Sequence, residues 1–251
     1  LEELLRLNIF AYFMVFARVG TATMFLPGLS ATYVSPRVRL AFALTMSLVV
    51  LPPLAADLPV MPASVSEVAV LLTGEVLVGA FFGFMMRILI SCLQTAGTIA
   101  ALSSSMANAM IQDPIAESQS STISGFLLTM GVVLIFVSDL HHMMLRGIIE
   151  TYAMFRPGDM LPVGDIADVV ARQVADSFTV GLKLSAPFVV VGLTYYIGLG
   201  LLSRLMPQLP VFFFGLPLQI TVQISVFTIT LSGIMLAFIQ YFQSSAQRFV
   251  P

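Results

Sequence analysis

From Glu67 to Leu93 the chain is apolar except for Glu67, Thr73, Glu75, Arg87 and Ser91. A helix of that length rises about 40 Å at 1.5 Å per residue, more than the ~30 Å hydrocarbon core of a bilayer. It also lacks the broad polar face that a surface helix of a water-soluble domain needs. Five further stretches read the same way. They run from about Leu4 to Leu26, Val38 to Leu51, Ser121 to Leu140, Asp176 to Leu202 and Val211 to Phe242. The second is short, and Pro52-Pro53 is expected to stop it. Apolar residues make up 58% of the 251 and charged residues only 10%, with a mean hydropathy of +1.00. Soluble domains carry about 25% charged residues, so this chain cannot coat a water-facing surface. Disordered chains are poor in apolar residues, which excludes that class too. The expected fold class is all-α, a polytopic membrane-associated protein with about six long hydrophobic helices.

The same composition removes several functions. Net charge is −2 and no basic block exists, so no nucleic-acid footprint is present. The single Cys92 permits no internal disulfide and no cysteine-built metal site. His141 and His142 are neighbours, about 100° apart on a helix, a poor disposition for chelation. They read as a surface or interfacial pair, and no metal or cofactor is expected. Glu2 and Glu3 open the chain where a signal peptide needs a basic region, so the first apolar stretch reads as a retained helix. There is no GxSxG, HExxH or phosphate loop, and Ser103, Ser104 and Ser105 have no nearby base. An enzyme is not expected.

Four ionisable residues fall inside apolar stretches: Arg18, Glu75, Arg87 and Lys183. Each costs about 2.5–3.5 kcal/mol at mid-helix, so each should face protein or water. Glu75 and Arg87 lie about 18 Å apart along one helix and cannot pair with each other. Two readings stand on these residues alone. One is an ion or proton pathway. The other is pairing between helices or subunits, with Arg87 and Lys183 snorkelling near helix ends. Gly74, Gly79 and Gly83 allow close helix approach, within the chain or at a subunit contact. In the last stretch, Thr221, Ser225, Thr228 and Ser232 share one face, while Gln219, Gln223 and Thr230 lie nearly opposite. Hydroxyls can bond the preceding turn. The glutamines cannot hide so easily, which predicts a helix sandwiched between protein neighbours.

The connections differ in character. Residues 52–66 hold four prolines, and residues 141–175 hold Pro157-Gly158 and Pro162 followed by an amphipathic helix with Ile166, Val169, Val170 and Val174 on one face. Arg37, Arg39 and Arg204 fall in loops of one side, whereas 52–66 holds no Lys or Arg. That bias puts the first, third and fifth loops in the cytoplasm. Residues 103–121 read SSSMANAMIQDPIAESQSS, polar and small, with Asp113-Pro114 marking a turn. This is either a solvent-exposed loop or a plug in an aqueous path, sealed by flexible methionines.

The run EVLVGAFFGFMMRILISCLQTAGTIAALSSSMANAMIQDP (Glu75 to Pro114) resembles the FliR/SctT family of type III secretion export-gate proteins. So does SRLMPQLPVFFFGLPLQI (Ser203 to Ile220), with VSPRVRLAFAL (Val34 to Leu44) in support. The resemblance implies a flagellar export-gate subunit in the bacterial inner membrane at the basal body. Its implied partners are FliP-like and FliQ-like subunits, FlhB and FlhA as neighbours, unfolded flagellar export substrates and membrane lipid. It implies a FliP-like part over residues 1–175 and a FliQ-like helical hairpin over 176–251, with its turn at 203–210 (Met206, Pro207, Gln208, Pro210). It further implies that residues 104–120 plug the closed pore through Met106, Asn108, Met110, Ile111, Asp113 and Pro114. The corresponding virulence-injectisome subunit is the nearest alternative, and a stand-alone solute or ion transporter is more remote.

Overall fold

A computed structural model describes residues 2–31, 33–55, 58–105, 110–112, 119–159, 161–208 and 211–249. The described elements are α1 (Glu2–Phe25), α2 (Pro36–Leu54), α3 (Val65–Ser103), β1 (Met110–Gln112), β2 (Gln119–Ser121), α4 (Thr122–Val137), α5 (Leu140–Met154), α6 (Val163–Leu205) and α7 (Val211–Ala246). A single 3-10 turn, Gln247–Phe249, follows α7.

Local chemistry sets the ends of these helices. Pro27 and Gly28 follow α1, and Gly28 takes φ 85, a left-handed geometry that costs glycine nothing. Ser35 caps α2 by accepting from the Val38 amide at 3.4 Å, with Pro36 at the first helical position. Arg39 reaches back and donates to the carbonyls of Leu29 (2.9 Å) and Ala31 (3.2 Å), which staples the connection to the helix it precedes.

Four boundaries differ from the sequence reading. Pro52 and Pro53 lie inside α2, which runs on to Leu54; they leave the Leu48 and Val49 carbonyls without helical donors, and the helix ends within one turn. The stretch beginning at Ser121 ends close to its expected limit, at the break before Asp139, but a further helix follows it. Asp139 has φ 57, and residues 140–154, expected as a connection, are helix. The amphipathic helix and the span after it are one element, α6, 43 residues long with Pro187 inside. Finally, part of the loop expected at 104–120 pairs as two short antiparallel strands, with Met110 opposite Ser121 and Gln112 opposite Gln119. Among the described residues, four helices are long and apolar enough to cross a bilayer, five if the bent pair counts as one span, and α1 adds the shorter apolar segment Ile9–Phe25. The chain is thus a polytopic helical membrane protein.

The chain divides into two compact units, Leu1–Leu89 with Phe136–Gln173 and Gln243–Pro251, and Ile90–Ile135 with Val174–Phe242. In the first, Met14, Val15, Val19 and Ala22 of α1, Phe82, Met85 and Met86 of α3, and Met144 and Ile148 of α5 are buried. A Cβ at Gly79 would collide with the Arg18 carbonyl and Thr21 Oγ1, and one at Gly83 would come within 2.6 Å of the Ala22 carbonyl. These two glycines therefore bring α3 against α1 inside the chain. A Cβ at Gly74 would meet open space.

In the second unit, Leu93, Leu127, Phe188, Phe238 and Phe242 are buried. Ser121 caps α4 by accepting from the Ser124 amide at 3.2 Å, and Ser124 Oγ donates to the Gln94 carbonyl at 3.3 Å. Gly97 lies directly against the Ser124 backbone.

Gly79→Leu should lower the melting temperature of the purified protein in detergent and its yield. Overpacking a core costs about 1–3 kcal/mol, and here the obstacle is backbone that cannot rotate away. A melting temperature matching the parent's would show that α1 and α3 do not pack through this glycine.

Candidate functional site

Arg18 and Glu75, the two ionisable groups deepest in the apolar stretches, are each other's partner. They are 57 residues apart in sequence. Arg18 donates through Nε to Glu75 Oε2 at 2.7 Å and through Nη2 to Oε1 at 2.9 Å. This is the two-pronged geometry that guanidinium and carboxylate favour. Arg18 is 1% exposed and Glu75 2%. The rest of the guanidinium is occupied by α5 and the residue after it. Nη1 donates to Thr151 Oγ1 at 3.3 Å and Nη2 to the Phe155 carbonyl at 3.0 Å. The Tyr152 ring lies 3.8 Å from the guanidinium carbon, a cation–π contact strengthened by desolvation.

Four hydrogen bonds thus hold the guanidinium inside the first unit, and the pair is shut off from water. A path for ions needs a group that water or a passing ion can reach. This cluster joins three helices. Thr151, Tyr152 and Phe155 were not singled out from the sequence. Their only signal is spatial, since 133 residues separate Arg18 from Thr151. Arg87 and Lys183, by contrast, are exposed.

In the second unit the buried polar groups of the described residues are neutral. Gln219 is 0% exposed and Gln223 2%. Gln219 Nε2 donates to the Ser103 carbonyl at 3.0 Å, and Gln223 Nε2 to the Phe188 carbonyl at 3.2 Å. Both bonds lie within the chain, while the Gln223 Oε1 is buried with no hydrogen-bond partner among the described residues. The hydroxyls of Thr221, Ser225 and Thr228 each bond a carbonyl one turn back at 2.9–3.0 Å and face outward.

Met206, Pro207 and Gln208 follow α6 in the turn toward α7, and the Met206 amide bonds the Leu202 carbonyl at 2.9 Å. Pro210 lies outside the described residues, as do Met106, Asn108, Asp113 and Pro114. Met110 and Ile111 are in β1. Between α6 and α7 runs an apolar groove of about 670 Å³ whose walls include Val190, Tyr195, Leu199, Phe214 and Leu218. At the α4–α5 bend the Asp139, His141 and His142 ligand atoms lie within 4.8 Å of one another. The sequence spacing argued against such an approach, and the bend produces it. The His142 and Asp139 side chains are well exposed.

This is a helical membrane protein whose buried charge pair and glutamine amides join helices within each unit. The chain belongs to the bacterial export proteins, family 1, whose model matches residues 9–245. It is 33% identical over 221 residues to the flagellar biosynthetic protein FliR of Caulobacter vibrioides, covering 88% of each chain. It is 27% identical to the FliR of Bacillus subtilis, over 89% of this chain and 87% of that one. It is also 25% identical to the Yop proteins translocation protein T of Yersinia pestis, over 87% of this chain and 85% of that one.

Glu75→Gln should destabilise the protein strongly. Removing one member of a buried ion pair costs about 3–5 kcal/mol, because the survivor stays desolvated and unpaired. Arg18→Met combined with Glu75→Leu should cost much less than the two single changes added together. Thermal unfolding in detergent measures all of these variants. Additive losses would mean that the two side chains act separately.

Proposed function

We propose that this chain is a subunit of the flagellar type III export gate. It co-assembles with FliP-like and FliQ-like subunits in the bacterial inner membrane at the basal body. FlhB and FlhA are its neighbours, and unfolded flagellar subunits pass through the conduit. The observation that carries this reading is the 33% identity to a flagellar FliR over 88% of both chains. The match of the family model across residues 9–245 supports it. The work is architectural and not enzymatic. It consists of completing a helical assembly, lining a conduit and holding it shut.

Residues 1–175 serve as the FliP-like part and 176–251 as the FliQ-like hairpin. The turn near Met206 to Pro210 faces the cytoplasmic entrance. The groove between α6 and α7, lined by uncovered apolar side chains, suits packing against partner helices. The segment 104–120 closes the conduit at rest, with Met106, Asn108, Met110, Ile111, Asp113 and Pro114 as its working residues. Polar backbone at membrane depth is tolerated beside a water-filled cavity, and methionine fits irregular openings. Substrate displaces the segment only by binding the open state better than the closed one.

A second reading, the injectisome counterpart, is supported by the similarity to the Yersinia protein. Affinity purification of the tagged chain from its host in mild detergent separates the two. Copurifying FliP-like and FliQ-like subunits encoded with flagellar genes are the expected result. Needle-system subunits would move the assignment to an injectisome. A stable complex of this chain alone would overturn both.

Replacing residues 106–118 with a short Gly/Ser linker should leave that complex intact and raise ion and small-molecule leakage through it. Leakage at the parent's level would eliminate the plug.

A further inference from the structure

The start of α5 gathers three metal-ligating side chains that the export-gate reading does not use. Asp139 occupies the position just before the helix, where a carboxylate ordinarily accepts from an amide of the first turn. With φ 57 it is left-handed, and its side chain caps nothing. The carboxylate is therefore left for another partner. The His142 amide bonds the Asp139 carbonyl at 3.1 Å, and this turn sets His142 Nδ1 3.6 Å from Asp139 Oδ1. His141 completes the group. Its ring stacks on Phe136 with centroids 5.0 Å apart, and its centroid lies 4.1 Å from that of His142.

One ligand atom from each of the three residues lies within 4.8 Å of the other two. A tetrahedral zinc ion with bonds of about 2.0–2.2 Å holds its ligand atoms about 3.3 Å apart. The Asp139–His142 pair is already close to that separation. Both of these side chains are exposed, so small rotations close the remainder. A second observation comes from His141, whose Nδ1 is buried with no hydrogen-bond partner among the described residues. A buried polar atom without a partner is costly, and a metal ion is a partner that imidazole takes at either ring nitrogen.

The donor set selects the ion. Magnesium and calcium prefer oxygen ligands. Two imidazole nitrogens and one carboxylate oxygen suit zinc and its transition-metal neighbours instead. We propose that Asp139, His141 and His142 form a binding site for a divalent transition-metal ion of the zinc class. The ion ties the residue before α5 to the first turn of that helix, and water completes its coordination. The site goes beyond the export-gate reading and stands without it.

The test uses the full chain, purified in detergent through a tag that contains no histidine, then stripped with chelator and desalted. Zinc binding is titrated in competition with a chromophoric zinc indicator. The expected result is saturable binding of one zinc ion per chain. Asp139→Ala, His141→Phe and His142→Ala should each weaken it by about tenfold or more, since even residues behind the ligands cost 10–100-fold when changed. His141→Phe keeps an aromatic ring against Phe136. The side chains of His142 and Asp139 are 70% and 79% exposed, so in chelator their variants should melt like the parent. Zinc should raise the melting temperature of the parent and of none of the three variants. Asp168→Asn is the control. Asp168 is exposed and belongs to no such group among the described residues, so binding should not change. Excess magnesium should not displace the zinc. Uptake that fails to saturate, uptake that persists in the triple variant, or displacement by magnesium would each overturn the site.

Discussion

The ion pair of Arg18 and Glu75 sets the terms for the first unit. A desolvated guanidinium and carboxylate each cost several kcal/mol to bury, and only good geometry returns that energy. Both prongs must close, Thr151 and the Phe155 carbonyl must meet the remaining donors, and Tyr152 must lie under the plane. These demands fix α1, α3 and α5 in one mutual register, since a shift by one residue would turn a charge into an apolar wall. Gly79 and Gly83 are the corollary. The fork closes only if two backbones come within reach, and a side chain at either glycine would hold them apart.

The second unit solves the same problem without charge. Several of its buried amides and hydroxyls donate to backbone carbonyls. Ser124 bonds Gln94, Gln219 bonds Ser103 and Gln223 bonds Phe188. Each such bond crosses from one helix to another, so it specifies a neighbour as well as satisfying a group. The outward hydroxyls of α7 bond their own helix instead and specify nothing. A family of export proteins needs both kinds of helix surface, one committed to the chain and one left for its neighbours.

Hydropathy made α3 and α7 legible, because long apolar runs have few alternatives. The same signal missed their ends, since α3 continues past Leu93 through Thr95, Thr98 and Ser103, whose hydroxyls bond back one turn. It also split α6, whose polar opening turns resemble a separate surface helix although no breaker lies between Ala171 and Phe178. The bend at Asp139 was invisible, as no Gly or Pro marks it and the left-handed residue is an aspartate. The four intramembrane charges were legible as a set. Which of them would pair was not, because hydropathy reports depth and not neighbours. Tyr196 escaped notice for a related reason: its hydrogen-bond partner, Ser105, lies 91 residues away.

The lengths of α3, α6 and α7, 39, 43 and 36 residues, correspond to contours of about 58, 65 and 54 Å. A bilayer solvates about 30 Å. Leu205, Phe213, Phe214 and Ile229 are among the apolar side chains left uncovered. No single depth in the lipid satisfies such helices, and tilting recovers only part of the mismatch. The solitary chain is therefore a poor end product of translation. Its surplus hydrophobic length suits a chain that packs against other components of an export apparatus. Cells making it in excess would hold that surplus as clients of chaperones and proteases, so subunit balance is enforced by physical chemistry before any genetic control acts.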